Sequence, residues 1–376
     1  MIALSGILRR LDANGGDGVV VEFRPERSRD DADLLAARAV VSTFSDATAA
    51  AAARGAGAGT NGIELSGRGV VINVDPPSGE ELLSAWLQEL ADNLEVTGFT
   101  GELVAARQSP LPKAVADHSV LRLGAFVSYR LLSPFRYRNT ALDGPPRWDV
   151  DPQTTERACD QALTWTGEAG GDAWLQEGRL QVKLGAVEQV PLNAAVARSA
   201  RGVLTRVALP LGRVRRASFW PWGQALFQVE EPGSSWQETL AAATEPLRLL
   251  PSQVDLAFIG WSYGWGRSWM DLGSKVPALP YVAEAEVRNH RELWESFVPD
   301  VHGVQLLTAA HLAKAADLSA WEVEQVAAER YLVRARDLAP WYAQREADLD
   351  VVDQARRDFG AMILTSDFVA ELRRLT

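Results

Sequence analysis

Apolar and polar positions alternate or recur along this chain with clear periods, and the periods name elements. Gly18–Phe23 (GVVVEF) is β-branched and predicts a strand. It follows an apolar run, Ile2–Leu11, and the turn chemistry of Asn14–Gly18. Leu34, Ala37, Val41 and Phe44 recur at helical spacing and predict a helix over Asp30–Arg54, stopped by Gly55–Gly59. Gly62–Leu65 and Val70–Val74 read as strands around a Ser66–Gly69 turn. Leu82, Leu83, Trp86, Leu87, Leu90 and Leu94 then form one helix face, opened by a capping-box pattern at Ser78 and Glu81. Glu102–Ala106 closes the series as a strand. From residue 18 the order is β-α-β-β-α-β, that of a ferredoxin-like unit: an antiparallel sheet with both helices on one face.

The middle of the chain repeats the pattern. Leu121–Leu132 predicts a strand, Thr155–Thr166 a helix, Ala173–Leu184 and Leu226–Val229 strands, and VDLAFIGW (Val254–Trp261) a final strand. A constant offset of 156 pairs Pro76 with Pro232, Ser78 with Ser234, Glu81 with Gln237, Leu94 with Leu250 and Leu103 with Ile259. Ser234 and Gln237 thereby repeat the capping pattern. The fold class read from this is α+β: two related ferredoxin-like halves with antiparallel sheets and a C-terminal α/β cap. The boundaries are 1–112, 113–275 with insertions, and 276–376, with Ser109–Pro112 as a proline-rich link. In the cap, Ser319 and Glu322 form another capping pattern and predict a helix through Ala328. RYLVRARDL (Arg330–Leu338) fits helix or strand, and Val351–Leu364 with Asp367–Leu375 reads as a closing helix or strand-helix pair.

Charge narrows the function classes. The formal net charge is −11, which argues against nucleic acid, whose phosphates need clustered Lys and Arg. Arg201, Arg206, Arg213, Arg215 and Arg216 make a local basic patch, read as a solvated edge strand. No apolar run approaches membrane-spanning length, and Met1–Arg10 lacks the pattern of a signal peptide. The single cysteine, Cys159, cannot form an internal disulfide, which fits a reducing, cytoplasmic setting.

Candidate chemistry gathers in Val287–Trp321, which holds His290, His302 and His311. Asp300, His302 and His311 make a possible polar site. The two later histidines stand too far apart for a helical His pair or a zinc finger, so no metal and no cofactor are expected. Gly260–Gly264 is a literal Gly-x-Ser-x-Gly around Ser262, but Gly264-Trp265-Gly266 is a poor helix start for a nucleophile elbow. The Gly55–Gly59 run follows a helix, the wrong order for a phosphate cradle. Trp261, Tyr263, Trp265 and Trp269, with Trp220 and Trp222, are the aromatic residues suited to binding a partner; core packing is the competing reading.

The order HRELWESFVPDVHGVQLLTAAHL, a short spacer, then RYLVRARDLAPWY, within Arg288 to Tyr342, resembles the C-terminal region of bacterial toxin-immunity proteins, including those guarding against type VI secretion effectors. In that family an apolar run such as Gly303–Thr308 opens a late helix and a strand pair follows. The resemblance implies an α+β protein without catalysis that covers a toxin's active site. The expectation is a non-catalytic cytoplasmic binding protein with a protein partner, a basic toxin, and neither nucleic acid nor membrane; the oligomeric state is left open. One alternative is an enzyme with a site between the halves, using His302 or His311 as acid or base beside Asp300, and Ser262 as nucleophile. Another is an assembly component of a phage-like particle.

Overall fold

The structure is a computed structural model, and it describes residues 2–3, 19–25, 59–66, 69–75, 80–96, 98–105, 120–133, 148–177, 180–184, 192, 196, 202–209, 211–262, 291–345, 347–365, 367–368 and 371. The fold is α+β, with strands and helices alternating and pairing that is largely antiparallel. The chain divides into two units: Met1–Pro112 with Trp174–Glu188, and Lys113–Ala173 with Gln189–Thr376. The helix expected over Asp30–Arg54, the Gly55–Ala58 run, Ser78, Arg201, Tyr263, Trp265, Trp269 and His290 lie outside the described residues.

In the first unit, β1 is Ile2–Ala3, β2 Val19–Pro25, β3 Gly59–Ser66, β4 Gly69–Asp75 and β5 Gly101–Ala105. Helix α1 covers Glu80–Val96. The sheet runs β5-β2-β4-β3 with each neighbouring pair antiparallel, β1 parallel to β5 on the outside. The apolar helix face read from the sequence is the buried one: Trp86, Leu87, Leu90 and Leu94 are each at most 1% exposed. Gly98 adopts φ +85° just past α1, a left-handed stop that glycine tolerates. Phe99 N then donates to Leu94 O at 2.9 Å, and the Phe99 ring meets Phe23 edge-on at 5.8 Å. The turn after the helix thus seals the core.

In the second unit, β6 is Arg122–Tyr129, α2 Pro152–Gly167, β9 Gly202–Ala208, β10 Arg213–Trp220, β11 Gln224–Glu230, α3 Trp236–Arg248 and β12 Val254–Ser262. Two strands precede β9 in the chain, β7 (Asp172–Glu177) and β8 (Leu180–Leu184), and from Trp174 onward they belong to the first unit. Helix α2 starts on Asp151, whose carboxylate accepts from Thr154 N, with Pro152 in the first turn. The order β12-β6-β11-β10 is again antiparallel throughout. Trp165 of α2 packs edge-on against Phe227 at 5.5 Å and donates its indole N–H to Ala242 O of α3 at 3.0 Å. One tryptophan therefore binds both helices to one sheet face. Cys159 is buried on α2, its thiol pushed up to about 12 by burial first and by Asp160 second.

α1 and α3 open at Glu80 and Trp236, separated by the same 156 positions found in the sequence. The capping box of α3, however, is Ser235 with Glu238. This corrects the expected Ser234 and Gln237 by one residue. Ser234 is spent in the preceding turn, its N–H donating to Glu231 O.

The C-terminal region continues the second sheet. β13 (Val304–Thr308) pairs with β12, β15 (Arg330–Ala335) with β13, and β14 (Trp321–Ala327) with β15, all antiparallel. Helices α4 (Ala309–Leu312), α5 (Ala339–Tyr342) and α6 (Leu349–Phe359) complete it. Two expectations are corrected here. The Ser319 and Glu322 pattern opens a strand, not a helix, because Trp321 and Val323 alternate with glutamates and pair with Ala335 and Val333. Val304–Thr308 is likewise a strand, and only the single turn of α4 follows it.

The basic patch is also corrected. β10 lies between β9 and β11, so it is not an edge. Arg215 and Arg216 are 6% and 1% exposed. Arg215 is held by Glu231 at 3.1 Å and by Glu168, and Arg216 donates to Thr205 Oγ1 at 3.2 Å. No described helix is long and apolar enough to cross a membrane.

Candidate functional site

The polar residues singled out in the sequence stand at the two ends of β13. Before the strand, the His302 ring stacks on Phe258 of β12, centroids 3.9 Å apart and 9° from parallel. Burial pulls its pKa down to about 4, with Asp300 raising it and Arg356 lowering it. Asp300 does not lie open beside this ring. Arg356 of α6 donates to both its oxygens, at 3.1 and 2.9 Å, and Val301 N donates to Oδ1 at 2.8 Å. Gly303 follows because a Cβ there would meet Trp341 Cγ at 2.6 Å.

At the other end His311 is fully buried. Thr308 N donates to His311 Nδ1 at 3.0 Å, and His311 N donates to Thr308 Oγ1 at 3.2 Å. This is a capping box with imidazole in the place usually held by a carboxylate. Because Nδ1 accepts, the neutral ring carries its proton on Nε2. The Thr308 hydroxyl proton goes to Glu295 O at 2.6 Å. Burial pulls His311 down to about 4; the carbonyls of Phe297 and Trp294 act upward, Lys314 and Arg330 downward. His302 and His311 thus have separate surroundings, at opposite ends of the strand.

Ser262 ends β12 opposite Arg122, 5% exposed. Gln228 Nε2 donates to Ser262 Oγ at 2.8 Å and to its carbonyl at 3.1 Å. Register places Arg216, Gln228, Gly124 and Gly260 in one row across β10, β11, β6 and β12. Gly124 clears a path: a Cβ there would meet Gln228 Cγ at 3.1 Å. Gln228 can therefore lie across β6 and reach the serine. Arg122, 2% exposed, is paired with Glu230 at 2.9 Å in the adjoining row. Sequence reading missed this buried lattice. Its signal was present, since Arg122, Arg216 and Gln228 interrupt otherwise apolar strands.

The described aromatic candidates separate. Trp261 sits opposite Leu123, at the end of the sheet where β12 finishes. Trp220 and Trp222 stand at the other end, in the β10–β11 hairpin, where Trp222 holds φ 67° and ψ 26°. A bulky residue in the left-handed region is costly. Among the described residues, no group of three or more His, Cys, Asp or Glu could hold a metal ion.

No protein-family model matches the chain, and no curated protein does. Among solved structures, the crystal structure of an unknown protein from Galdieria sulphuraria covers 65% of this chain and 96% of its own, at 13% identity and a TM-score of 0.21. A likeness at that level carries no argument about function.

Proposed function

We propose that the chain is a non-catalytic cytoplasmic binding protein of the immunity type, which inhibits a basic bacterial toxin by covering its active site. Its architecture, on this reading, is two related ferredoxin-like halves, with the second sheet extended by the C-terminal region. What supports this part is the offset of 156 positions between the starts of α1 and α3, beside the β-α-β-β-α-β order expected from the sequence.

The observation that carries the reading is how the described candidate polar side chains are used. Asp300 is clamped by Arg356, His302 lies flat on Phe258, His311 caps α4, and Ser262 is bound by Gln228. Each builds the scaffold on which a recognition surface would stand. The net charge of −11 supports a basic partner, whose approach long-range attraction would speed.

The experiment is paired. Cells carrying the product of the adjacent reading frame are tested for growth with and without this chain, and the two purified proteins are tested for a complex. Protection together with a 1:1 complex is expected. Neither protection nor a complex would remove the reading.

A further inference from the structure

We infer that the second sheet also holds a small neutral ligand, which Gln228 and Ser262 recognise through the cis-amide edge of a pyrimidine-type base or a lactam. The site lies on the face turned away from α2 and α3. Those helices cover the face that carries Phe227, against which Trp165 packs. Gln228, one residue on, points to the opposite face. Register puts Arg216 and Gly124 in its row there, and Ser218 and Gln305 at the two ends of the next row.

This face is closed to solvent and yet polar. Ser218, Gln228 and Gln305 are each at most 1% exposed. Among the described residues, Ser218 Oγ, Gln228 Oε1 and both amide atoms of Gln305 meet no hydrogen-bond partner. Buried polar groups are nearly always partnered, so open valences gathered on one face point to a molecule that the chain itself does not supply.

At Gln228 a donor and an acceptor stand open side by side. Its Nε2 donates to Ser262 Oγ at 2.8 Å and to Ser262 O at 3.1 Å. The Ser262 hydroxyl accepts from that amide and keeps its own proton to give, while Gln228 Oε1, on the same amide, is free to accept. The match is a ring that carries C=O beside N–H. The ligand carbonyl takes the Ser262 proton, and the ligand N–H goes to Gln228 Oε1. Phe126, two residues along β6 from Gly124 and on the same face, supplies an apolar flank for a flat ring.

Charge argues for a neutral occupant. Arg122, opposite Ser262, already has Glu230 at 2.9 Å, and a carboxylate or phosphate lacks the N–H that Gln228 Oε1 needs. Glu230 is 38% exposed, so the row that holds Ser262 runs out to solvent.

The test titrates uracil and pyrrolidone against the purified full chain by calorimetry. The control is the N,N′-dimethyl derivative of uracil, which keeps both carbonyls and loses both N–H groups. Uracil should bind saturably and raise the thermal midpoint, and the dimethyl derivative should bind at least about tenfold more weakly, because it leaves Gln228 Oε1 unpaired. Gln228→Met and Ser262→Ala should each weaken uracil binding by a similar factor. No saturable binding of either probe overturns the inference, as does equal binding of uracil and its dimethyl derivative, which needs no variant to fold. A crystal structure grown with uracil that shows only a water between Ser262 Oγ and Gln228 Oε1 overturns it as well. No toxin enters the assay, so its failure and that of the binding reading above are told apart.

Discussion

Arg356 grips Asp300 through two hydrogen bonds, Nε to Oδ1 at 3.1 Å and Nη2 to Oδ2 at 2.9 Å. The guanidinium is 5% exposed, and its third nitrogen reaches Asp353 at 3.1 Å. The pair fastens α6 to the segment that leads into β13. A buried ion pair adds little over apolar packing, but removing one partner strands the other.

Arg356→Met should therefore lower unfolding free energy by about 3 kcal/mol, because it leaves Asp300 without its counter-charge. Urea denaturation at neutral pH measures this. A loss no larger than about 0.5 kcal/mol would mean the pair behaves as a solvated surface contact.

The histidines predict an acid sensitivity. Both are held near pKa 4 in the folded chain, against about 6.5 when unfolded. The unfolded chain thus binds more protons between those values. Stability from this source is complete above about pH 6.5 and is lost as pH falls towards 4. The upper bound is about 3 kcal/mol per histidine. His302→Phe keeps a ring on Phe258, and His311→Gln keeps an acceptor for Thr308 N. The double variant should lose less stability than wild type between pH 7.5 and 4.5. Equal losses in the two proteins would count against this account, since their carboxylates are shared.

The β14–β15 hairpin explains one failure of sequence reading. Ala328-Glu329 at its turn lacks the Asn-Gly or Asp-Gly signal. Glu329 nonetheless holds φ 55°. With no turn residue to mark the reversal, the Ser319 and Glu322 pattern pointed to a helix.

Glu329→Gly should accordingly stabilise the protein by about 1 kcal/mol, since it removes left-handed strain at an exposed site. The Glu329 carbonyl keeps its bond from Ala309 N, which depends only on backbone. A thermal melt reads the gain; a lower midpoint would show that the side chain contributes to the turn.

Legibility followed the source of each signal. The apolar face of α1 was readable because burial and helical period coincide at Trp86, Leu87, Leu90 and Leu94. The roles of Arg215, Arg216 and Arg356 were not, because Glu231 and Glu168, Thr205 and Asp300 lie on other elements. Arg356 and Asp300 are 56 residues apart, and no local pattern joins them. His302 and His311 were visible as candidates for chemistry, yet a flat stack on Phe258 and a cap on α4 depend on how strands pair.

The glycine row beneath Gln228 gives the last prediction. Gly124→Ala would place a methyl 2.7 Å from Phe227 O and 3.1 Å from Gln228 Cγ. The first contact is backbone and cannot rotate away, so the cost should be about 1–3 kcal/mol. The second contact displaces Gln228 from Ser262. If both effects pass through Gln228, Ser262→Ala should cost less in the Gly124→Ala background than alone. A double-mutant cycle measures that difference. Additive losses would mean that the glycine serves only the close approach of β6 to β11, and that the glutamine reaches Ser262 by another path.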